Sequence, residues 1–251
     1  MKSKLVSLKE AISKIKDGSS VAIGGIGQNK VPMAAVNEII AQGKKNLHII
    51  GREKGIDFEL LIRNGCVSKI SSAYVGLEEF GLSKSFRKAV ESGEVEFLEH
   101  TCGSILNAFR AGSMGLPFIP IKGLFGSDLL KVREDFKEIS CPFTGEKLVA
   151  IPAINPDVGI IHCHEADEYG NVRNYGSLFE DVYIAKASKY TIVTVERIIS
   201  NDDIRKEPEK TTIPYFYVDA VVECPGGAKP TSLFKEYPVD REMMKKLIKG
   251  E

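Results

Sequence analysis

Apolar positions along the chain follow a helical and an extended spacing in turn, and that succession predicts the fold class. Over Ser7–Gly18, Leu8, Ala11, Ile12 and Ile15 fall on one helical face, Ser7 and Glu10 stand at capping-box spacing, and Gly18 is a suitable stop. Ser20–Ile26 reads as a buried strand and Pro32–Gln42 as a helix with proline in its first turn and Gly43 after its end. Leu47–Ile50 reads as the next strand. The alternation continues with helices over Phe58–Asn64, Ser83–Ser92 and Ser104–Ser113, and strands near Lys69–Val75, Val95–Leu98 and Phe118–Ile121. Further strands are expected in "KLVAIPAI", "DVGIIHCH" and "YTIVTVE".

Strands and helices at this spacing predict an α/β fold with a single open, mostly parallel sheet flanked by helices, because parallel strands need a crossover and a helix supplies it. Asp167–Asn171 has the composition of a tight turn between antiparallel strands, giving an antiparallel hairpin portion. Lys122–Glu146 is the longest irregular stretch and a place to expect a functional loop. Asp240–Lys249 reads as a short basic helix at the periphery. No repeat, low-complexity tract or linker interrupts the pattern, so one domain over residues 1–251 is expected.

Composition narrows the class of partner. Lysine plus arginine equals aspartate plus glutamate at 34 each, which gives no electrostatic reason to expect nucleic acid or an anionic membrane. No apolar run reaches the ~18 residues needed to span a bilayer, and the charged start of the chain lacks a signal-type apolar core. Five cysteines without a C-x-x-C pair suit a reducing cytoplasm.

Three glycines in four residues, Gly24, Gly25 and Gly27, end the first buried strand in "VAIGGIGQNKVP". Ligands of open α/β sheets bind beyond the carboxyl ends of the strands, where bare backbone amides can hold a phosphate or a transition-state oxyanion. The same glycines also suit a plain strand-to-helix turn. A dinucleotide site would need a further glycine where Lys30 stands and an acidic residue ending the next strand, and the chain has Gly51-Arg52-Glu53 there.

The segment "VAIGGIGQNKVPMAAVNEIIAQGKKNLHII" resembles the start of the A (alpha) subunit of family I coenzyme A transferases, glutaconate CoA-transferase most of all. "LLIRNGCVSKI", "GLPFIPIKGLFGS", "CPFTGEKLVAIPAINPDVGIIHCHEADEYGNVR", "DVYIAKASKYTIVTVERIISNDDIRKEP" and "IPYFYVDAVVECPGGAKP" follow that subunit in the same order, up to about Pro230. The resemblance implies the CoA-transferase (NagB/RpiA-like) fold and exchange of CoA between a short or dicarboxylic acyl-CoA and a carboxylic acid. The thioester is substrate, with no permanently bound cofactor or metal. It also implies a B (beta) subunit partner that supplies a glutamate nucleophile, in an α2β2 or larger assembly.

Site residues follow from the same resemblance. Gly24, Gly25, Ile26, Gly27 and Gln28 are expected to carry the oxyanion or acyl-CoA, through the amides of Gly25 to Gln28. Ser72, Tyr74 and Gly76, together with Cys102, Gly126 and Ser127, are expected near substrate or CoA; Glu165 joins them on its place in the chain alone, at the carboxyl end of the "DVGIIHCH" strand, where a side chain can line the crevice. The E-x-G matches Glu91-Ser92-Gly93 and Glu168-Tyr169-Gly170 read as a helix end and a hairpin turn, so the nucleophile is expected to be absent from this chain. His162-Cys163-His164 is not read as a metal site, because Cys163 points opposite to the histidines in a strand. Relatives that hydrolyse CoA thioesters carry a carboxylate near Cys102, and the cysteine here weakens that alternative. The chain also lacks the long C-terminal extension of glutaconate transferase A subunits. The alternatives are an acyl-CoA decarboxylase or ring-opening hydrolase subunit on the same scaffold, and a ligand-sensing or sugar-phosphate-isomerase-like domain.

Overall fold

The computed structural model describes residues 2–250. Its strands are β1 (Ser20–Ile23), β2 (Leu47–Ile50), β3 (Glu53–Lys54), β4 (Val67–Ser72), β5 (Tyr74–Val75), β6 (Glu96–Glu99), β7 (Phe118–Ile121), β8 (Lys137–Ser140), β9 (Lys147–Pro152), β10 (Val158–Ala166), β11 (Val172–Arg173), β12 (Tyr190–Ile198) and β13 (Ala220–Glu223). The helices are α1 (Leu8–Ser13), α2 (Met33–Ala41), α3 (Ile56–Arg63), α4 (Lys84–Glu91), α5 (Cys102–Ser113), α6 (Leu129–Val132), α7 (Asp181–Ala187), α8 (Asn201–Lys206) and α9 (Arg241–Lys249).

The main sheet has the order β13-β12-β10-β1-β2-β4-β6, all parallel, with β11 antiparallel on β10. Both faces are covered, and period-2 alternation assigns the side chains. Val21, Ile23, Ile49 and Ile160 join one core cluster with α1, α2 and α3, whereas Ala22, Ile50, Ile161 and Val193 join another with α5 and α7. From β1 the chain adds β2, β4 and β6 on one side, then returns to add β10, β12 and β13 on the other. The carboxyl end of β1 therefore lies at the point where the strand order reverses, where open α/β sheets form their crevice.

The mostly parallel sheet is as expected, but it is not the only one. The stretch expected to be an irregular loop, Lys122–Glu146, contains α6 and β8, and β8 joins β7 and β9 in a separate antiparallel sheet. That sheet has its own small core: Leu129, Phe136, Val149 and Ile151 pack with Ala108 of α5. Strands β7 and β9 lie where strands were expected; β8 was not, because it pairs only with β9 and none of its four residues is fully buried. A further parallel pair, β3 with β5, brings Glu53 opposite Tyr74 and Lys54 opposite Val75.

Local signals were mostly realised. Ser7 caps α1 by accepting the Glu10 N–H, and the hairpin at Asp167–Asn171 pairs Glu165 with Arg173. Helix α5 begins at Cys102, two residues earlier than expected, because Thr101 and Ser104 form a reciprocal cap. Helix α9 covers α3: Met244 is buried and Arg63 donates to the carbonyls of Leu247 and Ile248. No helix among the described residues is long and apolar enough to cross a membrane.

Candidate functional site

The glycine segment folds back on itself as it leaves β1. Gly24 continues the ladder, donating its N–H to the Ile160 carbonyl. Ile26 and Asn29 then exchange both backbone bonds, at 3.0 and 2.8 Å, so that Gly27 and Gln28 form the tip of a two-residue turn. The fold-back explains the glycines. A Cβ on Gly24 would lie 2.6 Å from Asp181 Oδ1, and one on Gly25, at φ +71°, would lie 2.5 Å from the Lys30 carbonyl oxygen.

This geometry corrects the expectation that four bare amides face a ligand. Gly25 N–H is bound to Asp181 Oδ1 at 2.9 Å, Ile26 N–H to Asn29, and Gly27 N–H to the Glu53 carbonyl at 3.0 Å. An amide already bonded inside the protein cannot receive a developing oxyanion without giving up that bond. Only the Gln28 N–H has no partner among the described residues. The glycines serve the loop's own packing first, and the outward donor is the residue after them.

The turn tip borders a crevice of about 390 Å³, whose other walls include Glu53, Glu78, Glu79 and Arg241. The Gln28 side chain donates to Glu79 at 2.6 Å, and Arg241 of α9 reaches the other oxygen of the same carboxylate at 3.3 Å. Asn29 also borders a second cavity of about 200 Å³, walled by Lys30, Tyr175, Phe179, Leu233 and Phe234.

Beneath the loop lie buried charges that hydrophobic patterning gave no reason to expect. The Lys30 ammonium contacts Asp181 at 2.8 Å, with both side chains almost fully buried. Burial alone would lower the Lys30 pKa, yet the Asp181 carboxylate and its neighbours raise it above the ordinary lysine value. Lys54 pairs with Asp57 at 3.3 Å, both without exposure. Arg52 pairs with Glu180 at 3.1 Å, and burial pushes the Glu180 carboxyl upward while its Oε1 has no hydrogen-bond partner.

The other candidates divide. Cys102, the first residue of α5, is exposed and its Sγ–H donates to Glu53 Oε1 at 3.1 Å, beside the crevice. Burial of its sulfur and the Glu53 carboxylate both raise its pKa, which keeps it a thiol. Ser72 is fully buried, with its Oγ within 3.0 Å of the Arg52 and Tyr74 carbonyls, so it shapes the β3–β5 junction and is not available to a ligand. The Tyr74 ring lies over Gly76, where a Cβ would fall 2.2 Å from its hydroxyl. Gly126 and Ser127 line neither cavity; Ser127 donates to the Leu124 carbonyl in an exposed turn. Glu165 is engaged by Tyr175 and Arg197 at 2.9 and 3.0 Å, away from the crevice.

His162 and His164 are buried on one side of β10 and Cys163 on the other, in the core with α7. The His162 Nε2–H donates to Glu196 at 2.9 Å. That carboxylate also accepts the Tyr237 hydroxyl at 2.7 Å and the Gly226 N–H at 2.8 Å. Although burial opposes it, these bonds hold the Glu196 carboxyl down to about 2. The cluster ties the segment after β13, which walls the second cavity, to the centre of the sheet.

Comparison with known proteins places the chain. Residues 5–224 match the family model described as coenzyme A transferase. The A subunit of glutaconate CoA-transferase from Acidaminococcus fermentans is 40% identical over 261 residues, covering 97% of this chain and 82% of that one. The crystal structure of glutaconate coenzyme A-transferase from Acidaminococcus fermentans superposes with a TM-score of 0.94, covering 98% of this chain and 84% of that one. The AibA/AibB decarboxylase superposes with a TM-score of 0.89 at 35% identity, covering 99% and 94%. An uncharacterized protein of Archaeoglobus fulgidus is 44% identical over 245 residues, 96% of this chain, and the chain spans 55% of that relative's length.

Proposed function

The chain belongs to the coenzyme A transferase family, and from that premise we propose that it is the A subunit of a heteromeric enzyme that moves CoA between a short acyl-CoA and a carboxylic acid. A B subunit supplies the glutamate that attacks the thioester. The anhydride and glutamyl-CoA steps that follow each pass through a tetrahedral oxyanion, which needs a preformed donor. In this chain that donor is the Gln28 N–H, at the tip of a turn whose other amides are satisfied internally. The unpartnered Gln28 amide beside an open crevice at the switch point of the sheet is the observation that supports this reading.

The CoA thioester enters this chemistry as substrate and leaves with the acceptor acid. A decarboxylase subunit is the second reading, favoured by the overlay on the AibA/AibB decarboxylase. The two readings differ in what the partner contributes, since transfer needs a glutamate nucleophile there.

Co-expression with a candidate B subunit from the same organism, followed by exchange assays across acyl-CoA donors and carboxylate acceptors, tests the proposal. The complex is expected to exchange and the isolated chain to be inactive. Release of carbon dioxide from a carboxyacyl-CoA without exchange would favour the second reading, and robust exchange by the isolated chain would overturn the assignment of the nucleophile to a partner.

A further inference from the structure

The glycine loop is gripped from behind by two buried side chains of opposite charge. Lys54 has no solvent exposure, and its Nζ donates to the Gly24 carbonyl at 2.8 Å and the Gly25 carbonyl at 3.0 Å. Its counter-ion Asp57 is equally buried and also accepts the Gly55 N–H at 2.9 Å. Lys54 can lie across this turn only because position 51 has no side chain: a Cβ on Gly51 would fall 2.2 Å from Lys54 Cε. On the opposite side Asp181, held by Lys30, takes the Gly25 N–H. One residue thus has its amide fixed by an anion and its carbonyl by a cation.

Such an arrangement is costly to build, because each buried ion gives up its hydration and recovers it only through well-placed partners. A segment rich in glycine is also the one with most backbone freedom to lose. Gly25, Gly27 and Lys30 all sit at positive φ, of +71°, +51° and +56°, a combination the local sequence does not enforce. Lys54 supplies the constraint.

We propose that Lys54 is a positioning residue for CoA transfer. By holding the Gly24 and Gly25 carbonyls inward it keeps the Ile26–Asn29 turn seated on the Glu53 carbonyl, and so keeps the Gln28 N–H in one orientation at the crevice. This rests on the oxyanion role proposed above for Gln28. A donor is effective in the transition state when it needs no reorganisation at that moment, so loosening the loop acts on turnover more than on binding.

The test uses Lys54→Met combined with Asp57→Asn. Removing Lys54 alone would strand a buried carboxylate, whereas the double variant removes both charges and retains an oxygen to accept the Gly55 N–H. In the isolated chain, amide exchange over residues 24–30 is expected to quicken by about tenfold or more, while β1 and β2 keep their protection. In the complex with the B subunit, kcat is expected to fall by roughly 30-fold or more with KM within about threefold. Unchanged exchange in the loop would overturn the grip by Lys54. Faster loop exchange with wild-type kcat would overturn its importance for the reaction, as would kcat, KM and thermal stability declining together. If the wild-type complex moves no CoA, the functional reading fails, and the exchange measurement still decides whether Lys54 holds the loop.

Discussion

Gly25 donates its backbone N–H to the Asp181 carboxylate at 2.9 Å, joining the first strand's end to the first turn of a helix 156 residues later. The other oxygen of the same carboxylate meets the Lys30 ammonium. Asp181→Ala leaves that ammonium buried without its counter-ion and Gly25 without its acceptor. The expected loss is about 3–5 kcal/mol of stability, measured by chemical denaturation. Asp181→Asn, which keeps an oxygen for Gly25, is expected to lose less.

Gln28→Pro removes the proposed oxyanion donor itself. Loss of one such donor typically lowers kcat by about 10²–10³. The variant complex is expected to assemble and bind acyl-CoA while turning over at that reduced rate; Gln28→Ala keeps the amide and loses only the side-chain bond to Glu79. Steady-state exchange kinetics of the two variants separate the backbone donor from the side chain.

Gly27→Val places a β-branched residue at φ +51°, with its Cβ 3.1 Å from Glu78 Oε1. Left-handed backbone of this kind costs an ordinary residue about 1–2 kcal/mol. The fold is expected to survive this loss, and turnover is expected to drop sharply because the turn tip must move. Full activity in a correctly assembled complex would contradict the role given to this turn.

The Glu196 cluster predicts acid sensitivity. Its folded pKa of about 2 lies below the ordinary glutamate value of 4.5. The folded state therefore binds this proton more weakly than the unfolded chain. The resulting stabilisation is present above about pH 4.5 and is lost as pH falls toward 2. Glu196→Gln is expected to flatten the dependence of stability on pH across this window, as read from denaturation midpoints.

The cysteines should label in a set order. Hydrogen bonds from Thr144 and the backbone at Phe143 and Thr144 lower the Cys141 pKa, whereas Cys102 is raised and Cys163 is pushed up to about 12 within the core. Alkylation near pH 7.5, followed by peptide mass mapping, is expected to modify Cys141 first, Cys102 slowly and Cys163 only on unfolding. Glu53→Gln should hasten the labelling of Cys102, since its hydrogen bond and negative charge help hold the proton on sulfur.

The glycine motif, the strand before it and the proline-led helix after it are local features, and hydrophobic spacing with turn chemistry was enough to read them. The same holds for the alternation of strands and helices through the first half of the chain and for the hairpin at Asp167–Asn171, but not for α6, β8, α7, α8 or β13, which are short or weakly patterned. Ordered segment resemblance carried the family, since motif sequence survives without reference to geometry. Ser72, Gly126 and Ser127 came from that resemblance and Glu165 from its place at a strand's carboxyl end, and neither kind of signal says what a side chain will meet: Ser72 is enclosed by the Arg52 and Tyr74 carbonyls, and Glu165 is held by Tyr175 and Arg197.

Apolar periodicity was sufficient to specify two covered sheet faces, and glycine spacing to mark a strand end at a place where ligands bind. Which amide of that strand end stays free emerged only from the folded chain. The partners that consume the others, Asp181 and Glu53, and the Lys54 ammonium that fixes the carbonyls, come from distant segments. No local pattern marks Lys30 for burial, because its opposite charge, Asp181, arrives from a helix far along the chain. Burial of charge is a property of pairs, and pairing is fixed only when the chain closes.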